Sequence, residues 1–223
     1  LLGAINGLLV VRLGIPAIVV TLATLVAWRE GLRWATGGMW VQDLPASFQW
    51  FGLGQDLGRV VVAGVALLVW TALAWAMRHT AAGRAVYATG NDADTARLLG
   101  VRAAHVELAV FVLMGALTGL AALLSSIRFI DVQTNAGIGL ELTVIAAVVV
   151  GGTSISGGRG TLTGTLAGVV LLATIGPALT FLGAQASWER ALQGLIILVA
   201  VAADPAAMRA WAVRSTRRVH AAG

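Results

Sequence analysis

Long uncharged stretches alternate along the chain with short polar punctuation. The uncharged runs are Leu1 to Val11, Leu13 to Trp28, Val60 to Met77, Leu108 to Ile127, Leu142 to Gly158, Thr161 to Trp188 and Ala191 to Ala203. Gly31 to Trp34 extends the second run past Arg29 and Glu30. Leu108 to Ile127 is 20 residues, enough at about 1.5 Å per residue to cross a hydrocarbon core about 30 Å thick. The pattern predicts about seven helical spans. The first is truncated, and the last is short, with Arg190 able to snorkel at its edge. The expected fold class is all-α: a polytopic transmembrane bundle forming a single domain over 1–223. Two polar segments and a tail complete it: 37–59, 78–105 and 205–223. The first carries Trp40, Trp50 and Phe51 among Gly, Pro and Asp, which reads as an external loop with its aromatics at the membrane interface.

Composition agrees with the pattern. Of 223 residues, 58% are hydrophobic and only 11% charged, against about 25% charged in an ordinary soluble domain. Mean hydropathy is +0.88. One aqueous globule cannot hide that much apolar surface, so a soluble enzyme, a disordered tail and a disulfide scaffold are set aside. Cysteine is absent, which removes thiolate metal sites and cysteine nucleophiles. Lysine is absent too, so all fifteen basic residues are arginine. The chain opens Leu1-Leu2-Gly3 inside an apolar run, without the basic region and cleavage site of a signal peptide. It reads as a fragment lacking its N-terminal portion.

Charge orients the bundle. With the tail (Arg209, Arg214, Arg217, Arg218) taken as cytoplasmic, alternation puts 78–107, the turn at Arg159 and the turn at Arg12 on the same side. That side holds ten arginines, and the other holds five: Arg29, Arg33, Arg59, Arg128 and Arg190. The asymmetry obeys the positive-inside rule. The basic residues flank apolar spans, so lipid is the expected surrounding and nucleic acid is not an expected partner.

Glycine supplies the next signal. Gly160, Gly164 and Gly168 form a stripe at helical spacing, and Gly115 with Gly119 and Gly3 with Gly7 repeat it. Small residues let membrane helices approach closely, so these stripes predict tight packing and say nothing of what the bundle moves. Pro16 and Pro177 fall within apolar runs, where each can break or kink a helix. Gly3, Gly7 and Pro16 share the spacing of Gly164, Gly168 and Pro177, the mark of an inverted repeat, although chance similarity among Gly/Ala/Leu-rich segments gives the same pattern.

The stretch Gly151-Gly152-Thr153-Ser154-Ile155-Ser156-Gly157-Gly158-Arg159-Gly160 looks like a phosphate loop but lacks the lysine of a Walker A motif. It also fails the Gly-x-Ser-x-Gly test of a nucleophile elbow. A tight cytoplasmic re-entry between two helices is the expected role of Gly151, Gly152, Thr153, Gly157, Gly158 and Gly160. His79, His105 and His220 form no metal-binding spacing, so no metal site is expected. Glu141 is the acid nearest a span, and an interfacial position accounts for it. Within 83–102, Asn91 or Asp92 can cap a short helix with Asp94 in its first turn, Arg97 near its end and Gly100 as its stop. The residues leave two roles open: a solvated loop helix, or a docking element for a cytoplasmic partner.

The stretches Arg84 to Gly100 and Gly151 to Gly160, the run 139–168 and Ile15-Pro16-Ala17-Ile18 together resemble the permease subunit of bacterial ABC sugar importers, of the ribose, xylose, rhamnose and autoinducer-2 class and the branched-chain-type permease family. The resemblance covers nearly the whole chain in order. It implies a multi-pass protein of the bacterial inner membrane with no catalytic residue and no cofactor of its own. It also implies a cytoplasmic ABC ATPase that binds ATP, a second permease subunit and a periplasmic sugar-binding protein. By that resemblance Gly83, Arg84, Tyr87, Gly90, Asn91, Asp94, Ala96, Arg97 and Gly100 belong to the segment that couples to the ATPase, with Gly90 to Gly100 as the coupling helix. Gln133, Asn135, Glu141 and Thr143 are candidates for the polar groups of a sugar path. The loop tryptophans and the Ile-Pro-Ala-Ile pattern look most like the rhamnose and autoinducer-2 members. Family permeases carry a further N-terminal region that this chain lacks. The rivals are a branched-chain amino-acid ABC permease, a secondary transporter and a membrane-embedded enzyme. The second needs an ion site within the bilayer and the third needs paired acids or an activated nucleophile, and the sequence offers neither.

Overall fold

A computed structural model describes residues 1–39, 48–49, 54–129, 137–154, 157–183, 188, 191–192, 194–196 and 198. Its helices are α1 (Leu2–Leu13), α2 (Ala17–Ala35), α3 (Gln55–His79), α4 (Ala81–Asn91), α5 (Ala93–Leu98), α6 (Ala103–Ser126), α7 (Leu140–Val150) and α8 (Leu162–Phe181). No strand occurs among the described residues, so the fold is the all-helical one the apolar runs predict.

The helix ends follow local chemistry. Gly14 takes a left-handed conformation (φ 64°) and closes α1 through its N–H to the Val10 carbonyl. Pro16 then starts α2 as its N-cap, a position where a missing N–H costs nothing. Pro16 therefore separates two helices, whereas Pro177 lies inside α8, which runs through it. α2 continues past Arg29 and Glu30 to Ala35, with Glu30 and Arg33 paired at 3.3 Å on its exposed side. α3 begins five residues before the apolar run starts at Val60. The polar segment 37–59 is shortened accordingly: Gln55 to Arg59 are helical, and Asp56 sits in the first turn, where the helix dipole favours an acid. Within 37–59, residues 40–47 and 50–53 lie outside the described residues, as does the tail 205–223.

Three of the described helices are long and apolar enough to cross a membrane: α3 with 25 residues, α6 with 24 and α8 with 20. The run Leu142 to Gly158 is not the span its composition predicts. Its helix, α7, has 11 residues, about 16 Å of rise at 1.5 Å per residue. The stop is a Schellman closure: Gly152 turns left-handed (φ 83°), its N–H meets the Val149 carbonyl, and the Thr153 N–H meets that of Val148. The predicted span Thr161 to Trp188 is narrower as well, with α8 ending at Phe181.

The chain divides into two units, one made of Leu1–Trp75 and Ala96–Ala136, the other of Ala76–Thr95 and Gly137–Gly223. In the first, α1 packs on α6 and on α2. A Cβ on Gly3 would fall 2.9 Å from the Gly115 Cα, and one on Gly7 would fall 2.8 Å from Leu108 Cδ1. Gly119, the other half of the expected stripe, faces open space. In the second unit α8 packs on α7. A Cβ on Gly164 would strike the Gly151 carbonyl oxygen, and one on Gly168 that of Ala147. Ala146, Ala147 and Leu172 are the buried cluster there, with Ile175 and Ile196 against it. The glycine stripes thus act as close-packing seams. The two glycine-proline segments share that use but part at the proline.

Threonine is the commonest polar residue on these helices, and its hydroxyl repeatedly turns back. Thr21 and Thr24 donate to the carbonyls of Ala17 and Val20 on α2, both at 2.9 Å. Thr71 donates to Leu68 on α3, Thr118 to Met114 on α6, and Thr174 and Thr180 to Leu171 and Gly176 on α8. In an apolar solvent this satisfies the hydroxyl without a neighbour.

Candidate functional site

The second unit brings the first part of the 83–102 segment, up to Thr95, together with the glycine turn. After α3, Thr80 caps a new helix: its hydroxyl accepts from the Gly83 N–H at 3.2 Å and donates to the Ala76 carbonyl at 2.7 Å. The turn is so tight that a Cβ on Gly83 would fall 2.6 Å from the Met77 Cα. The helix that follows, α4, is not among the sequence expectations. Its signal is Thr80, a good N-cap residue directly after Arg78 and His79.

α4 lies against the glycine turn. The Tyr87 hydroxyl donates to the Gly160 carbonyl at 2.9 Å. One turn later, backbone meets backbone. A Cβ on Gly90 would come within 3.0 Å of the Gly158 nitrogen, one on Gly158 within 2.7 Å of the Asn91 Cα, and one on Gly157 would strike the Gly90 carbonyl oxygen. Gly157 and Gly158 also have φ of 88° and 71°, so only glycine suits both the space and the backbone. The turn is closed by the Ser154 N–H on the Arg159 carbonyl at 2.9 Å. Gly160 leads into Thr161, whose hydroxyl caps α8 by accepting from the Gly164 N–H at 3.0 Å. Behind it, the hydroxyls of Thr153 and Thr165 meet at 3.4 Å.

The expected short helix is present as α5, and Asp92 is its cap. One carboxylate oxygen accepts from the Asp94 and Thr95 N–H groups at 2.9 and 3.3 Å, the other from the Thr95 hydroxyl at 2.6 Å. The Thr95 hydroxyl, then the Thr95 and Asp94 N–H groups, hold the Asp92 carboxyl below the usual carboxylate range. Asp94 lies in the first turn and Arg97 in the last. Gly100 (φ 81°) ends the helix, its N–H on the Arg97 carbonyl and the Val101 N–H on that of Ala96, both at 3.0 Å. Ala96 is buried, while Leu98 and Leu99 are 88% and 76% exposed. The segment expected to hold one helix from Gly90 to Gly100 is therefore two, broken at Asp92. Gly90 and Asn91 close the first, and Ala96 and Arg97 belong to the second.

The remaining expected residues are dispersed. Arg84 is exposed on α4. Glu141 is exposed in the first turn of α7. Thr143, one turn on, directs its hydroxyl to the Gly139 carbonyl at 3.4 Å. Gln133 and Asn135 lie outside the described residues. Among the described residues no cluster of three or more His, Asp or Glu could hold a metal ion. Thr89, beside Gly90, buries its hydroxyl without a hydrogen-bond partner, which nothing in the sequence signals.

A family model described as branched-chain amino acid transport system, permease component, matches residues 1–201. The chain belongs to this permease family. That membership fits the described helices that are long and apolar enough to cross a membrane. Among curated relatives, the autoinducer 2 import system permease protein LsrC of Yersinia pseudotuberculosis is 40% identical over 198 residues, which is 88% of this chain and 56% of that protein. The protein of the same name from Escherichia coli is 38% identical over 206 residues, 92% of this chain and 60% of the relative. That from Salmonella typhimurium is 40% identical over 198 residues, 88% and 56% respectively. The chain thus spans less than two thirds of the length of these relatives. No solved structure matches it.

Proposed function

We propose that the protein to which this chain belongs is the membrane-spanning subunit of an ATP-driven ABC importer. Its substrate is a small sugar-like molecule of the autoinducer-2 class. The observation that carries the coupling part is α5: a helix capped at both ends, with Leu98 and Leu99 exposed at its tip. A capped helix with an apolar tip is rigid enough to be pushed and apolar enough to seat in a groove. Its partner in this reading is a cytoplasmic ATPase, which binds and hydrolyses ATP. A second permease subunit completes the path, and a periplasmic binding protein delivers the substrate. Substrate class rests on the autoinducer 2 import permeases, 38 to 40% identical to this chain. A branched-chain amino acid is the second reading, favoured by the description of the family.

This chain holds no cysteine, and any that the full-length protein carries elsewhere is replaced by serine before the test. A single cysteine is placed by Ala93→Cys in the full-length protein and crosslinked in inside-out vesicles. The expected result is a crosslink to an ATPase subunit that changes with nucleotide. Labelling only from the periplasmic side would overturn both the orientation and the importer reading. Uptake by cells competed with autoinducer 2 or with leucine separates the two substrate classes.

A further inference from the structure

We propose that Tyr87 is a positioning residue that latches α4 to the start of α8, so that a push on α5 moves the glycine turn and α8 with it. This rests on the reading of α5 as the docking helix. Three contacts carry it, all within one unit. The Tyr87 hydroxyl holds the Gly160 carbonyl at 2.9 Å across 73 residues of chain. Gly90 and Asn91 meet Gly157 and Gly158 backbone to backbone. Gly160 is joined directly to Thr161, the residue that caps α8.

Such a path has little slack. Backbone against backbone leaves no side chain to change rotamer and absorb a displacement. At its far end, Gly164 and Gly168 fit against Gly151 and Ala147 with no room for a methyl group, so α8 and α7 follow together. At its near end, Asp92 follows Asn91 at once and caps α5. Tyr87, the only tyrosine in this chain, reaches across the interface through its side chain, by the hydroxyl bond to the Gly160 carbonyl. Phenylalanine keeps its ring and deletes only the hydrogen bond. Losing one such bond shifts a two-state equilibrium by about fivefold.

The test uses the full-length permease, its ATPase and its binding protein in proteoliposomes, with autoinducer 2 as the transported probe. In Tyr87→Phe the ATP hydrolysed per molecule transported rises about fivefold, while the nucleotide-sensitive crosslink from Ala93→Cys persists. A second cysteine variant, Arg159→Cys on the glycine turn, changes its maleimide reactivity with nucleotide when Tyr87 is present and not when it is Phe. Thr161→Val, which removes the cap at the other end of the path, uncouples in the same way should Tyr87→Phe not reach the membrane. An unchanged ratio in Tyr87→Phe, or equal nucleotide response at Arg159→Cys in both backgrounds, overturns the latch alone. Absence of the Ala93→Cys crosslink with Tyr87 in place overturns the docking reading.

Discussion

Gly3 and Gly115 touch through their backbones: a Cβ on Gly115 would fall 2.8 Å from the Gly3 Cα, and one on Gly3 would fall 2.9 Å from the Gly115 Cα. Neither backbone can move aside without parting α1 from α6. Gly115→Ala is expected to destabilise the protein by about 1–3 kcal/mol, the usual cost of overpacking. Gly119→Ala, one turn along the same helix and facing open space, is expected to be neutral or stabilising by up to about 1 kcal/mol, since alanine is the better helix former. Unfolding of the purified protein in detergent distinguishes them.

Acid should loosen α5. The Asp92 carboxyl is held below its ordinary value of 3.8 by the Thr95 hydroxyl, then by the Thr95 and Asp94 N–H groups. A group whose folded pKa is depressed stabilises the fold fully above its unfolded pKa and loses that contribution as pH falls through the folded value. The cap is therefore complete at neutral pH, weakens below 3.8 and vanishes only below the lowered pKa. Hydrogen exchange at Asp94 and Thr95, measured as protection relative to the intrinsic rate, should fall in that window. Asp92→Ala should show the reduced protection at neutral pH and no further loss on acidification.

The stop at Gly100 makes a different prediction because its surroundings are empty. Nothing lies within 4 Å of a Cβ built there, and its φ is +81°. The cost of Gly100→Ala is then purely conformational, about 1–2 kcal/mol. Gly100→Asn should cost less, because asparagine enters the left-handed region more readily. The order Gly, Asn, Ala in exchange protection of the Val101 N–H tests it.

Thr89 should be improvable. Its buried hydroxyl has no partner, and an unsatisfied buried polar group costs about 1–3 kcal/mol. Thr89→Val keeps the shape and removes the oxygen, and is expected to raise stability by about 1 kcal/mol. A loss of stability on this change would mean that the hydroxyl has a partner in the assembled protein.

What was legible in the sequence was what is decided locally. The runs at Val60 and Leu108 became α3 and α6, and Asp92 and Gly100 became the cap and stop of α5, because a carboxylate beside free N–H groups and a glycine past a helix end act within four residues. The length of α7 was obscured because Val149 to Ile155 stays uncharged past the helix end. Composition does not register that Gly152 has turned left-handed. The division of 83–102 into two helices escaped because Asp92 serves at once as the end of one and the cap of the next. The meeting of Tyr87 with Gly160 depends on how α4 folds back, and no pattern within either segment encodes it. Both glycine motifs were visible, but their contact was not.

The threonines carry one more consequence. On α2, α3, α6 and α8 the hydroxyl protons of Thr21, Thr24, Thr71, Thr118, Thr174 and Thr180 are already committed to their own backbones, which leaves only lone pairs for a neighbouring donor. Each of these side chains can therefore accept a further hydrogen bond within its own unit but can give none without letting go of its helix.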